Sequence, residues 1–300
     1  MQLSFRKAAL IKRGVSILQN LRNLFRLLQF LLSSPLPAFL KGKVLRTAIL
    51  LAARQPHSTS GGAVRARVID FDVVAPSLSL LRLLHAEIFI SLAYFFKADK
   101  AEPFILDCGS NIGMSILFFK ALYPKARIVG FEPEEHTYTF LQRNISLNRL
   151  TKVQVHQAAL GAEERVVDFF IDSDTLGSLK TSTSRDRLPT NEKVRVQQVK
   201  LSTFIDREVD LLKLDVEGAE DTVLEELVTS GAIDKIDQMF VEYHHHIDTD
   251  KDTFSTFLRR LEENGFGYQI STSYPIDARV SRGHHFQDVE VYAYRKSCSA

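Results

Sequence analysis

Three short apolar runs in this chain each end on a carboxylate and open at once into a turn or helical pattern. They are FILD (104–107), RIVGFE (127–132) and DLLKLD (210–215). An apolar run of four to eight residues that leads into a helix is the repeating unit of a parallel sheet, because a parallel neighbour is reached only through a crossover. The intervening pattern agrees. MSILFFKAL (114–122) reads as a helix, and Tyr138, Leu141 and Ile145 mark the face of another. Residues 218–229 and 253–263 read as two more, with Gly231 and Gly265 as stops. QMFVEY (238–243) is a further strand, and KVQVHQAAL (152–160) a strand with its exit. RVVDFFI (165–171) and KVRVQQVKL (193–201) look like a hairpin around a polar loop from Asp172 to Asn191. YQIST (268–272) and VEVYAYR (289–295) are late strands that would supply an antiparallel edge. The expected fold class is α/β, a doubly wound Rossmann-like sheet with helices on both faces.

Ahead of this pattern the chain changes character. No Asp or Glu precedes Asp70, whereas residues 1–69 hold 12 Lys and Arg, so a net charge of +2 leaves −10 for the remainder. Residues 3–32 read as an amphipathic helix, with Leu10, Ile17, Leu21, Leu24, Leu28 and Leu31 on one face and Arg13, Arg22 and Arg26 between them. Such a helix either packs on the catalytic body or a twin subunit, or makes peripheral contact with an anionic membrane. QPHSTSGG (55–62) reads as a linker, residues 63–74 as one or two strands, and 79–96 as a helix leading into the main domain. The expected organisation is a basic helical extension over 1–62 and a catalytic domain over 63–300. The acid-free start also has the composition of an organellar transit peptide. Leu27–Leu40 is the longest apolar stretch near the start, and Pro35 and Pro37 interrupt it, which argues against a spanning helix. Nucleic acid is disfavoured as a partner, because no aromatic platform is interleaved with the arginines. Two cysteines, Cys108 and Cys298, give no disulfide framework. They suit a cytoplasmic protein, membrane-associated if the first helix seeks lipid.

The chemistry gathers at the strand ends, where doubly wound sheets bind ligands. PFILDCGSNIG (103–113) places Asp107 at a strand tip and follows it with a G-x-x-x-G turn through Gly109, Ser110, Asn111 and Gly113. The two glycines are expected to let a ligand approach the backbone. The spacing departs from the dinucleotide fingerprint G-x-G-x-x-G. An acid at this tip would repel a pyrophosphate and suits a cation, and S-adenosylmethionine carries a sulfonium and an ammonium with no phosphate. Glu132, 19 positions after Gly113, ends the next strand, where a carboxylate can accept both ribose hydroxyls. A plain helix-start acid is the competing reading. LLKLDVEGAE (211–220) delivers Asp215 to the same edge with Glu217 two residues on. That pair could hold a cation, take a proton or cap a helix. VEYHHH (241–246) brings histidines to the neighbouring strand end, and His244 lies closest to the tip. It is a candidate general base, with an exposed histidine cluster as the alternative. Asp215 is also a candidate ligand for a divalent metal.

In these four motifs, and in their order, the chain resembles the FkbM family of methyltransferases. The resemblance spans roughly residues 70–295 and implies a Rossmann-like fold, S-adenosylmethionine as donor and O-methylation. The family's acceptors include sugar hydroxyls in glycans, glycolipids and natural products. By this resemblance Asp107, Gly109 and Asn111 line the methionine part of the donor, Glu132 holds the ribose, and Asp215 lies near the transferring methyl. Ser110 stands where the family usually has alanine. Two other classes remain in view. One is a nicotinamide-dependent oxidoreductase on a similar sheet; the other is a non-catalytic binding protein that keeps a cofactor fold.

Overall fold

The computed structural model describes residues 25, 27–54, 63–171, 181–182, 193–245, 253–271 and 287–296. At its centre β3 (Phe104–Cys108) lies between β4 (Arg127–Phe131) and β10 (Leu211–Leu214), parallel to both. β5 (Val153–His156) extends the sheet beyond β4, and β11 (Gln238–His245) extends it beyond β10, both in parallel. β13 (Gln287–Arg295) then pairs antiparallel with β11 on one side and with β12 (Phe266–Ser271) on the other. Counted along the chain, the seven strands stand in the order 3-2-1-4-5-7-6. The order reverses between β3 and β10, so the crevice of a doubly wound sheet opens there.

The alternation of side chains along each strand divides the interior in two. Ile105, Ile128, Leu211 and Phe240 face one apolar cluster, and Leu106, Val129, Leu212 and Val241 face the other. The first cluster is covered by α2 (Leu78–Leu84), α3 (Met114–Leu122) and α4 (Glu135–Leu147); the second by α5 (Glu220–Thr229) and α6 (Phe254–Glu263). Asp107 and Lys213 are register partners on the Ile105 face, so the sheet itself pairs a buried acid with a buried base.

α1 (Ala38–Ala53) is joined to this body. It buries Leu40, Val44, Thr47 and Leu51, spaced four, three and four apart, and its three aliphatic residues share the cluster of Ile105 and Phe240. The Arg82 guanidinium donates to the carbonyls of Leu51 and Arg54 at 2.7 and 2.6 Å, which supplies partners for the open C-terminal end of α1. Residues 27–33 are helical as well, with Leu31 buried; the rest of the expected helix over 3–32, bar Phe25, falls outside the described residues, as does the linker over 55–62. The polar loop 172–191, apart from 181–182, and His246 and Cys298 lie outside them too.

Two expectations are corrected. The helix over 79–96 stops early: α2, capped by the Ser77 side chain, widens into a π-helical turn at His85–Ile90 and ends, and Leu92 takes a φ of 60° that no right-handed helix accommodates. The run 152–160 is two strands. β5 stays in the main sheet, and β6 (Ala159–Leu160) joins β9 (Lys193–Val199) in a second sheet, where β9 also pairs with β7 (Arg165–Ile171) in the expected hairpin. The late strands pair antiparallel as expected, with β13 inserted inside the edge.

Candidate active site

A cavity of about 600 Å³ opens where the ends of β3, β4, β10 and β11 meet the π-helical turn. Of the residues singled out from the sequence, Gly109, Ser110, Asn111, Glu132, Asp215, Glu217 and His244 line it; Asp107 and Gly113 do not.

The turn after β3 is held by backbone and side chains together. The amides of Gly109 and Ser110 donate to the Phe131 carbonyl at 3.0 and 2.8 Å, and that of Gly113 to the Ser110 carbonyl at 2.8 Å. Both glycines have positive φ, 82° and 90°. Each has a packing reason within the protein. A Cβ on Gly109 would stand 1.9 Å from the Asp215 carbonyl oxygen, and one on Gly113 would stand 2.8 Å from Leu141 Cδ1. The glycines thus admit neighbouring parts of the protein against the turn. Asn111, at a φ of 48°, donates its amide to Glu132 Oε2 at 3.0 Å, and Glu132 Oε1 accepts from the Glu134 amide at 3.0 Å. This clamps the first strand tip to the second. Glu132 is 6% exposed, and burial pushes its carboxyl up to about 7 against the two amides that favour its charge.

Asp107 faces a cation, and the cation is the chain's own. Its carboxylate accepts from Ser115 Oγ at 2.7 Å and stands 3.7 Å from Lys213 Nζ, fully buried. Lys213 Nζ donates to the Gly109 and Cys108 carbonyls at 2.6 and 3.2 Å, lies 3.3 Å from Asp215, and sits over the Tyr94 ring. Burial alone would lower its pKa; Asp215 and Asp107 outweigh that and hold it charged.

Across the cavity, Asp215 leaves β10 with its side chain one-fifth exposed. Glu217 follows at a φ of 59°. His244 is 7% exposed, and its Nδ1 lies 2.8 Å from Glu220 Oε1, an oxygen that also accepts from the Val216 and Gly218 amides. Its Nε2 stands 3.2 Å from Glu217 Oε2 and 3.9 Å from Asp288 Oδ1. Burial acts to raise the Glu220 carboxyl, but the His244 ring and the amides bring it below its ordinary value.

Lys213, Glu87 and Glu242 were not given roles from the sequence. Each was legible as a charge interrupting an apolar run: Lys213 in LLKL, Glu242 in MFVEY, Glu87 in HAEIFI. Glu87 and Glu242 line the cavity; burial first, then the Asp215 charge, pushes Glu87 up to about 7 and raises Glu242 as well.

The residues present fit S-adenosylmethionine. A buried carboxylate at the second strand tip has lone pairs left for ribose hydroxyls. Phe131, Ala158 and Leu160 give the cavity an apolar wall for a flat base, and its remaining acids suit a donor with two cationic centres. A doubly wound sheet with its switch point at β3 and β10, opening on a cavity whose described lining is rich in acids, suits a Rossmann-like methyltransferase better than a dinucleotide enzyme. The comparisons with known proteins agree: the chain belongs to the FkbM family of S-adenosylmethionine-dependent methyltransferases, whose "Methyltransferase FkbM domain" matches residues 107–268. Methyltransferase 1 of Beauveria bassiana is 32% identical over 223 residues, covering 67% of this chain and 88% of its own. The 31-O-demethyl-FK506 methyltransferase FkbM of Streptomyces tacrolimicus is 29% identical over 175 residues, 48% of this chain and 67% of its own. A solved methyltransferase FkbM from Methylobacillus flagellatus aligns with a TM-score of 0.45 at 14% identity, over 94% of this chain and 60% of that one.

Proposed function

We propose that the enzyme methylates a hydroxyl oxygen of a small molecule, a sugar of a glycan, glycolipid or natural product. The observation that carries this reading is the placement of Asp215: it opens on the cavity beside the Gly109 turn, in the lining it shares with Glu132, where an acceptor would meet the donor. The name of the Streptomyces tacrolimicus relative supports an oxygen acceptor, since that enzyme's substrate lacks a methyl on an oxygen. When bound, S-adenosylmethionine supplies an electrophilic methyl: a carbon–oxygen bond forms as the carbon–sulfur bond breaks, and S-adenosylhomocysteine leaves. The protein's part is alignment, exclusion of water and removal of a proton. Glu132 and the Asn111 amide fix the ribose end. Lys213 ties the Gly109 turn to Asp215, so donor and acceptor sides keep one geometry. Asp215 takes the hydroxyl proton, and His244 lies beside it, its ring oriented by Glu220. We assign the enzyme to the cytoplasm, membrane-associated if its first helix seeks lipid.

Asp215→Asn tests it, because the change removes the charge and keeps the shape. Turnover of labelled donor against a panel of sugars and natural products should fall about 10²–10⁴-fold, while donor affinity stays within a few-fold. Turnover like wild type would remove Asp215 from the reaction; turnover only on amines would replace the hydroxyl acceptor.

A further inference from the structure

We propose that Asp215, Glu217 and His244 hold one divalent cation of the manganese or zinc type, and that this ion grips the acceptor through two neighbouring oxygens. The second part rests on the methyl-transfer reading above; the first does not.

The three side chains each bring one ligand atom into a group spanning no more than 4.8 Å. A second observation comes from behind the histidine. Glu220 is 2% exposed, and its Oε1 is already fixed by two backbone amides when it meets His244 Nδ1 at 2.8 Å. The ring therefore donates its Nδ1 proton backwards and turns Nε2 towards Glu217 Oε2 at 3.2 Å, with Asp288 behind at 3.9 Å. A lone pair on nitrogen facing carboxylate oxygens at that distance is repulsive unless a positive charge is shared between them. A carboxylate behind the imidazole is the arrangement that fixes a metal-ligating histidine.

Charge points the same way. Asp215, Glu217, Asp288 and Glu290 line one cavity together with the buried carboxyls of Glu87 and Glu242, and a fixed cation beside them, Lys213, is committed to the Gly109 and Cys108 carbonyls. One imidazole nitrogen with two carboxylates suits Mn²⁺ or Zn²⁺ better than Mg²⁺ or Ca²⁺, which prefer all-oxygen sets. Three protein ligands leave coordination positions for the acceptor. Two of them, filled by oxygens on adjacent carbons, would select a vicinal diol or a hydroxyl beside a carbonyl. The second oxygen of Asp215 remains for the acceptor's proton.

The test uses the full chain, stripped with a chelator and titrated with Mn²⁺, read by electron paramagnetic resonance and by water-proton relaxation. The expected result is one bound ion per chain. Asp215→Asn and Glu217→Gln should each weaken it by about tenfold or more, with unchanged circular dichroism. His244→Ala should do the same, but it strands Glu220, so the two carboxylate variants decide. Adding a methyl glycoside with a vicinal diol should displace water from bound Mn²⁺ and lower the relaxation, whereas a mono-alcohol should not. Absence of saturable binding, with the ring then an imidazolium among carboxylates, overturns the ion. Binding that survives both carboxylate variants overturns the site, and equal response to diol and mono-alcohol overturns the two-oxygen grip. Donor affinity is measured alongside by calorimetry. An ion that binds as described in a chain that ignores the donor would sink the methyl-transfer reading and leave the metal site standing.

Discussion

At the scale of single residues, the site is a set of buried charges whose partners decide their work. Glu132 carries the sharpest expectation. Free of donor it holds its proton up to about pH 7, and a carboxylic acid offers ribose hydroxyls fewer lone pairs than a carboxylate. Donor affinity should therefore fall as pH drops below that value, approaching tenfold per unit. Calorimetry across the range checks it: Glu132→Gln should bind more weakly and lose the pH dependence, and a flat wild-type profile would mean that ribose binding does not draw on the charge. Lys213 is different in kind. Lys213→Met would leave Asp107 buried against an apolar side chain, with its charge uncompensated. Breaking a buried pair in this way typically costs about 3–5 kcal/mol, and chemical denaturation should show a loss of that order. The sequence displayed Asp107, Glu132, Asp215 and His244 because each sits at the end of an apolar run, where a charge stands out. It concealed Lys213, Glu87 and Glu242, because a charge inside such a run looks like a defect until its cross-strand partner is known.

At the scale of elements, the same logic separates what could be read from what could not. Strands β3, β4, β10 and β11 were legible because each is buried on both faces and so reads as a predominantly apolar run. The split of 152–160 was not, since which sheet Ala159 and Leu160 join depends on β9, some forty residues away in sequence. The early end of α2 was hidden for a related reason: residues 79–96 keep helical spacing in their apolar side chains, and the backbone turn at Leu92 leaves no mark in that periodicity. α1 carries a prediction. Leu40 and Val44 are buried in the main cluster, so Leu40→Ala should cost about 2–5 kcal/mol, read as a drop in denaturation midpoint. Removing residues 1–24, which hold five basic residues and no acid, should leave both stability and donor affinity in place while lowering co-sedimentation with anionic vesicles. Equal sedimentation of the two forms would take the lipid contact away from that segment.

At the scale of the whole molecule, the acids around the cavity make the free enzyme sensitive to pH in an unusual sense. Glu132 and Glu87 have folded values near 7, above the ordinary carboxylate range. Between that range and 7 these two groups bind more protons in the folded chain than in the unfolded one, so their contribution to stability declines as pH rises through the interval and levels off above it. For Glu132 alone the shift from 4.5 to about 7 corresponds to roughly 3 kcal/mol. Thermal unfolding of donor-free protein should show a falling midpoint from about pH 5 to about pH 7, and a rising one would contradict these burial effects. The imbalance of charge in the cavity has a further consequence for the reaction cycle. Methyl transfer turns a sulfonium into a neutral thioether, so the reaction itself discharges the ligand inside an anionic chamber. The spent nucleoside loses an attraction that the fresh one enjoyed, and its departure is favoured by the chemistry that produced it. The preference of the enzyme for donor over product should then shrink as salt screens the chamber, a dependence that competition binding across ionic strength would trace.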